Sequence, residues 1–248
     1  MAVGTPSKIV VSIPIELKSR QDVASALLAQ HGIDYLFIGR IFQEKATNKS
    51  CQIDIRSTSD NNSNVSQTIL VRGEEKISTT TLEKINYSQQ IIYLTSTNTG
   101  YQYCLEIAKF AQVILSIGGL AVNIESAEIV HEASKWLSSY NSQDVFDIYS
   151  LFVGLVEGEN NYYSCGMHNF GKADVSMDLS EDIGLAIYVM NVFNYYRLTE
   201  SPILQDGHIF QPDIESPSYQ MQLAEDEEYN MDALQYNSYG RWRLHRIS

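Results

Sequence analysis

The groups that could do chemistry concentrate in one stretch, Tyr162-Tyr-Ser-Cys-Gly-Met-His-Asn-Phe-Gly-Lys-Ala-Asp174. It holds a thiol (Cys165), an imidazole (His168), a carboxylate (Asp174) and two glycines (Gly166, Gly171). Cys165 and His168 could form a nucleophile and its base. On a strand, positions three apart face opposite sides, so the pair meets only if Gly166 makes a bulge. Glu125 and His131 could join His168 as acid and orienting group, which makes a hydrolase-like or metal-dependent centre the alternative function. No HxxxH or HxH spacing reinforces a metal set, and Gly118-Gly119 reads as a helix C-cap before it reads as an oxyanion nest. The plainer reading is structural. His168 would bond a backbone carbonyl at a strand exit, the glycines would serve the turn, and Asp174 would cap it. No catalytic residue, metal or cofactor is assigned on this basis.

Charge points elsewhere. The 248 residues carry 30 acidic against 17 basic side chains, a formal net charge of −13. That balance opposes a broad phosphate-binding face, because nucleic acid would be repelled over most of the surface. Cys51, Cys104 and Cys165 lie far apart without CxxC spacing, which gives neither a disulfide framework nor a zinc knuckle and suits a reducing cytoplasm. No apolar run approaches the length of a membrane span. This composition favours a basic protein partner, or simply serves solubility, with no direct nucleic acid and no membrane.

The acidity has a centre. Between Leu198 and Gly240 there is no Lys or Arg, while Glu200, Asp206, Asp213, Glu215, Glu225, Asp226, Glu227, Glu228 and Asp232 all fall there. Interleaved aromatics mark the segment as docked. Its expected partner-binding set is Glu225, Asp226, Glu227, Glu228 and Asp232 with Tyr219, Tyr229 and Tyr236 as anchors, since carboxylates beside aromatics give electrostatic steering and a hot-spot core.

The elements that must position these groups read as follows. Lys8 to Leu17 is strand-like, with Pro14 arguing for an edge or an end. Ser19 caps a helix that closes at Gly32. Tyr35 to Phe42 is a strand. Ser50 to Arg56 and Val65 to Arg72 alternate as a hairpin across a polar turn at 57–64. Gln90 to Thr97 is a strand, and Thr99 with Gln102 makes a capping box for a helix whose apolar face includes Cys104. Leu120 to Ile124 is a short strand. Ser126 then caps a helix through Tyr140, which leaves His131 exposed. Phe146 to Val156 returns to the sheet and pairs with Tyr162 to Met167. Ser180 caps a final helix, apolar on all sides from Ile183 to Tyr196 and therefore expected in the centre of the core.

Several blocks together resemble the bacterial family catalogued as domain of unknown function 4261. They are Gly119-Leu-Ala-Val-Asn-Ile-Glu-Ser-Ala127 with His131 and Trp136, Tyr163 to Asp174, Phe193-Asn-Tyr-Tyr196, Asp206-Gly207, and Tyr236-Asn-Ser-Tyr-Gly-Arg-Trp-Arg-Leu244. The similarity runs from about Ile91 onward. Lys172-Ala173 stands where relatives are expected to carry Leu-Pro. The resemblance implies no biochemistry, and some members occur among toxin and immunity genes.

Together these readings predict one α+β unit over 1–248, largely antiparallel sheet backed by helices. It has an N-terminal half (1–98) and a family-like C-terminal half (99–248), and the pattern admits two similar halves. The expected function is that of a cytosolic acidic binding protein, an immunity protein that occludes the active site of a basic antibacterial toxin.

Overall fold

Ile9–Ile15 (β1) is buried at every position, the mark of a strand covered on both faces. In the computed structural model, which describes residues 7–58, 68–69, 71 and 77–247, β1 lies inside a seven-stranded sheet. Its other strands are Tyr35–Ile38 (β2), Ile41–Glu44 (β3), Ser50–Ser57 (β4), Gln90–Ser96 (β5), Ala121–Ile124 (β6) and Ile129–Glu132 (β7). The order is β2-β3-β4-β5-β1-β6-β7, antiparallel throughout. Helices Arg20–His31 (α1) and Tyr101–Ser116 (α3) bury Val23, Leu27, Ile107, Phe110 and Ile114 against one face. Helix Thr79–Tyr87 (α2) places Ile85 in a smaller cluster with Ala121 and Val130. Alternation along β6 and β7 puts that cluster on the opposite face.

The second sheet runs Ile209–Phe210 (β11), Tyr219–Ala224 (β12), Arg241–Arg246 (β13), Asp174–Asp178 (β10), Asn161–Cys165 (β9) and Gly154–Glu157 (β8). Its pairs are antiparallel except β10 with β13, which are parallel in the register Val175 to Trp242 and Met177 to Leu244. Helix Ile183–Thr199 (α6) covers one face through Ala186, Val189, Met190 and Phe193. Helices Ala133–Ser142 (α4) and Val145–Phe152 (α5) fill the space between α3 and α6, and Trp136 Nε1 donates to Ala108 O at 3.2 Å. The fold is α+β, two largely antiparallel sheets backed by helices, as the patterning predicts. The sheets divide the chain between Glu132 and Gly154, well beyond 98/99, and their differing strand orders do not make two similar halves.

Several local readings change. β1 is central despite Pro14, because β6 pairs with β1 only at Val11 and Ser12. Pro14 needs only its carbonyl there, which accepts Leu120 N–H at 2.9 Å. Tyr35 to Phe42 is a hairpin turned at Gly39, not one strand. Of the expected strand at 65–72, Thr68, Ile69 and Val71 are helical. The rest of it, like 59–64 of the polar turn, lies outside the described residues. Residues 125–128 form the turn of the β6–β7 hairpin, with Glu128 at φ 55, so the helix begins only at Ala133. Val145–Phe152 is helical because Asp144 accepts from Phe146 N and Asp147 N. Asp182, not Ser180, caps α6, and Gly100 stands at the N-cap of α3 without a side-chain cap.

α6 is the most consequential correction. It is a surface helix rather than a central one, and Ile183, Ile187, Tyr188, Tyr195 and Tyr196 all point outward.

Candidate functional site

The reactive stretch folds as β9, a one-turn 3-10 helix at Met167–Phe170, and β10. Gly166 makes the exit from β9 at φ 123, where a Cβ would meet Phe152 O at 2.1 Å. Only glycine fits that approach.

This geometry drives the functional side chains inward. Asp174 is buried and accepts from Ser164 Oγ at 2.8 Å, Met167 N at 3.1 Å and Asn237 Nδ2 at 2.6 Å. His168 Nδ1 lies 4.0 Å from Asp174 Oδ2, beyond hydrogen-bond length but close enough to act on the carboxylate. Burial pushes Asp174 up, but His168, Asn237 and the Met167 N–H outweigh it and hold the carboxyl below its ordinary value. Asn237 carries the network onward: its Nδ2 donates to Lys172 O at 3.0 Å and its backbone N to Asp226 Oδ2 at 2.9 Å. Arg241 closes it at 2.8 Å from Asp226 Oδ1. Beside it, Arg197 is buried on α6 and donates to Ala173 O at 2.7 Å and to Asn194 Oδ1. Burial presses its guanidinium down to about 10 against the pull of Asp174 and Tyr149.

The network therefore binds the segment at 225–241 to the β9–β10 stretch. It does not present reactive groups to solvent. His168 is fully buried and neither ring nitrogen has a hydrogen-bond partner, so the expected backbone bond is not formed. Cys165 is buried with Sγ 4.0 Å from Ser126 O, and burial raises its thiol.

The alternative catalytic trio is not assembled. His168 faces Asp174, Glu125 accepts from Ser12 Oγ at 2.5 Å, and His131 Nε2 donates to Leu151 O at 3.1 Å while its ring lies 6.0 Å from Trp136. Among the described residues, no group of three or more His, Cys, Asp or Glu is placed to hold a metal ion.

The expected partner-binding set divides. Tyr219 is fully buried on β12 and Asp226 is buried against Arg241, so neither can meet a partner. Glu228 pairs with Arg241 at 3.2 Å and Glu227 with Arg243 at 2.6 Å. Tyr229 is half-buried with its hydroxyl 3.2 Å from that of Tyr163, and Tyr236 is half-buried. Glu225 and Asp232 remain exposed. The acidic run folds onto its own arginines because β13 pairs with β12 directly after it in register, Ala224 to Arg241. An open cleft of about 790 Å³ beside it is lined by Glu159, Asp178, Glu227 and Glu228 with Arg243 and His245.

Residue patterns missed Ser164, Asn194 and Asn237. The one available signal was Arg197, a lone charge inside an apolar run. No family model, curated protein or solved structure matches this chain. No helix among the described residues is long and apolar enough to cross a membrane.

Proposed function

We propose that this chain is an acidic binding protein that neutralises a basic partner. In its specific form it is a cytoplasmic immunity protein that occludes the active site of an antibacterial toxin. The observation that carries this reading is the folded acidic segment. Nine carboxylates and no Lys or Arg lie between Leu198 and Gly240, and that segment contributes β11 and β12 to the second sheet. Arg241 and Arg243 offset only Asp226, Glu227 and Glu228. Glu200, Asp206, Glu215, Glu225 and Asp232 stay exposed. Fixed carboxylates on a rigid scaffold attract a cationic protein at long range and repel wrong partners. The resemblance described above adds the toxin and immunity setting.

The test is capture of a partner from the protein's own cells and their secreted fraction, with elution by salt, followed by assay of the eluted polypeptide. A stoichiometric basic polypeptide, released by salt and inhibited while bound, is the expected result. Retention of no protein, or of one indifferent to salt, would sink the reading.

A further inference from the structure

The exposed side of α6 is an anomaly for a surface helix. Its inner face already supplies Ala186, Val189, Met190 and Phe193 to the core, so the outer positions are free to be polar. They carry Ile187, Tyr188, Tyr195 and Tyr196 instead, between 37% and 44% exposed. Ile187 and Tyr195 are two turns apart on one stripe, and Tyr188 and Tyr196 form the stripe beside it. The patch extends at both sides. Phe146 of α5, itself 43% exposed, meets the Tyr195 ring edge-on at 6.0 Å, and Phe210 of β11 stacks with Tyr196 at 6.3 Å. Asn191, which accepts from Tyr149 Oη at 2.9 Å, separates Ile187 from Tyr195, and Phe210 is itself buried. The exposed groups are therefore Ile187, Tyr188, Tyr195, Tyr196 and Phe146. Exposed apolar groups gathered on one face mark a contact surface, and tyrosines are preferred hot-spot residues. One anchor is already fixed: Tyr188 Oη donates to Asp213 Oδ2 at 2.8 Å, which reduces the ordering cost of binding.

The rim identifies the occupant. Asp144 and Asp182 cap the N-termini of α5 and α6, Glu200 caps the C-terminus of α6, and Asp213 flanks Tyr188. None of the ion pairs among the described residues neutralises these four carboxylates. Of the nearby cations, Arg246 pairs with Glu181 at 3.3 Å and Arg197 lies inside the core, while Lys172 reaches Ser201 Oγ at 3.5 Å and tempers the rim at the C-terminal end of α6 only. A second copy would bring the same acidic rim on a chain of net charge −13, an arrangement that like-charge repulsion opposes.

We propose that the outward face of α6 is the docking surface for a basic protein, whose Lys and Arg meet this rim while apolar side chains cover Ile187 and Tyr195. The assignment rests on the binding reading above and replaces Glu225 to Glu228 as its centre.

The probes are a helical amphipathic peptide of Lys, Leu and Trp and an oligolysine of equal charge, measured by fluorescence anisotropy at low and high salt. The intact protein should bind the amphipathic peptide about tenfold more tightly than oligolysine. Ile187→Ser with Tyr195→Ser should erase that preference in a protein that still unfolds cooperatively, at a somewhat lower temperature because Tyr195 also contacts Phe146. Asp182→Asn with Glu200→Gln should flatten the salt dependence, asparagine retaining the helix cap. Undiminished peptide binding by the Ile187→Ser, Tyr195→Ser protein overturns this site and leaves the binding function standing. Failure of the intact protein to bind either cation overturns both. Dimerisation of the intact protein that these two substitutions abolish shows a second copy on the face and overturns the proposal.

Discussion

The guanidinium of Arg241 and the carboxylate of Asp226 form a sealed ion pair at 2.8 Å, their side chains 4% and 1% exposed. The Tyr163 ring lies 4.5 Å beneath the guanidinium, and Asn237 N and Glu228 N also donate to Asp226. Part of the acidic run that looks like a partner surface in sequence is thus internal structure.

Removing one member of a buried pair strands the other charge. Asp226→Ala should cost about 3–5 kcal/mol, whereas Glu227→Ala, at the exposed pair with Arg243, should cost at most about 1 kcal/mol. Urea denaturation of the two variants decides. Equal losses would mean that Arg241 is not held by Asp226 as described.

Acid should weaken the fold through Asp174. Its carboxyl is held below its ordinary value, so its stabilisation is fully present above the unfolded value and drains away as pH falls through the folded one. The window lies below about pH 4. Asp226 is shifted the other way, upward by burial despite its donors, so its contribution is present in acid and lost as pH rises. Urea midpoints followed downward from pH 5 should show a shallower fall in Asp174→Asn than in the parent protein. His168→Phe should lessen the fall as well, because it removes the imidazole that acts on the carboxylate. An unchanged slope in both variants would refute the coupling.

Two glycines of the same stretch should respond unequally to alanine. At Gly166 a methyl group would strike Phe152 O and approach Ala127 Cβ at 2.9 Å, so Gly166→Ala should cost about 3 kcal/mol or more. At Gly171, φ 71, the nearest atom is Thr99 Oγ1 at 3.5 Å, and the cost should be about 1–2 kcal/mol from backbone strain alone. Thermal melts of the pair test this ranking.

Thiol chemistry should be silent in the native protein. Cys51, Cys104 and Cys165 are all buried, and burial raises each thiol, while the thiolate is the reactive form. A coloured disulfide reagent should titrate all three only after denaturant is added. One fast-reacting thiol under native conditions would reopen the case for Cys165 as a nucleophile.

Fold class was legible in the sequence because periodicity and caps are local signals. Ser19 caps α1, Cys104 packs on the apolar face of α3, and the β8–β9 hairpin delivers the chain into the reactive stretch. Errors arose where tertiary contacts decide. Pro14 is acceptable in a central strand only because of where β6 stops pairing. An apolar run such as Ile183 to Tyr196 has the same composition whether one side or both are covered. The Asp174 network joins residues more than sixty positions apart, a separation that no motif spacing records. Ser164 and Asn237 carried no local sign of their role.

β13 is the last strand of the second sheet to be synthesised, yet it lies inside it, between β12 and β10. On the ribosome, all strands of the first sheet are available long before this sheet can close. Until Arg241 to Leu244 emerges, β10 and β12 each present an unpaired edge of the kind that recruits other chains. A vulnerable interval of biogenesis therefore falls between the synthesis of β12 and that of β13. Slow emergence of β13, or cleavage just before it, would convert the second sheet from a scaffold into an aggregation template.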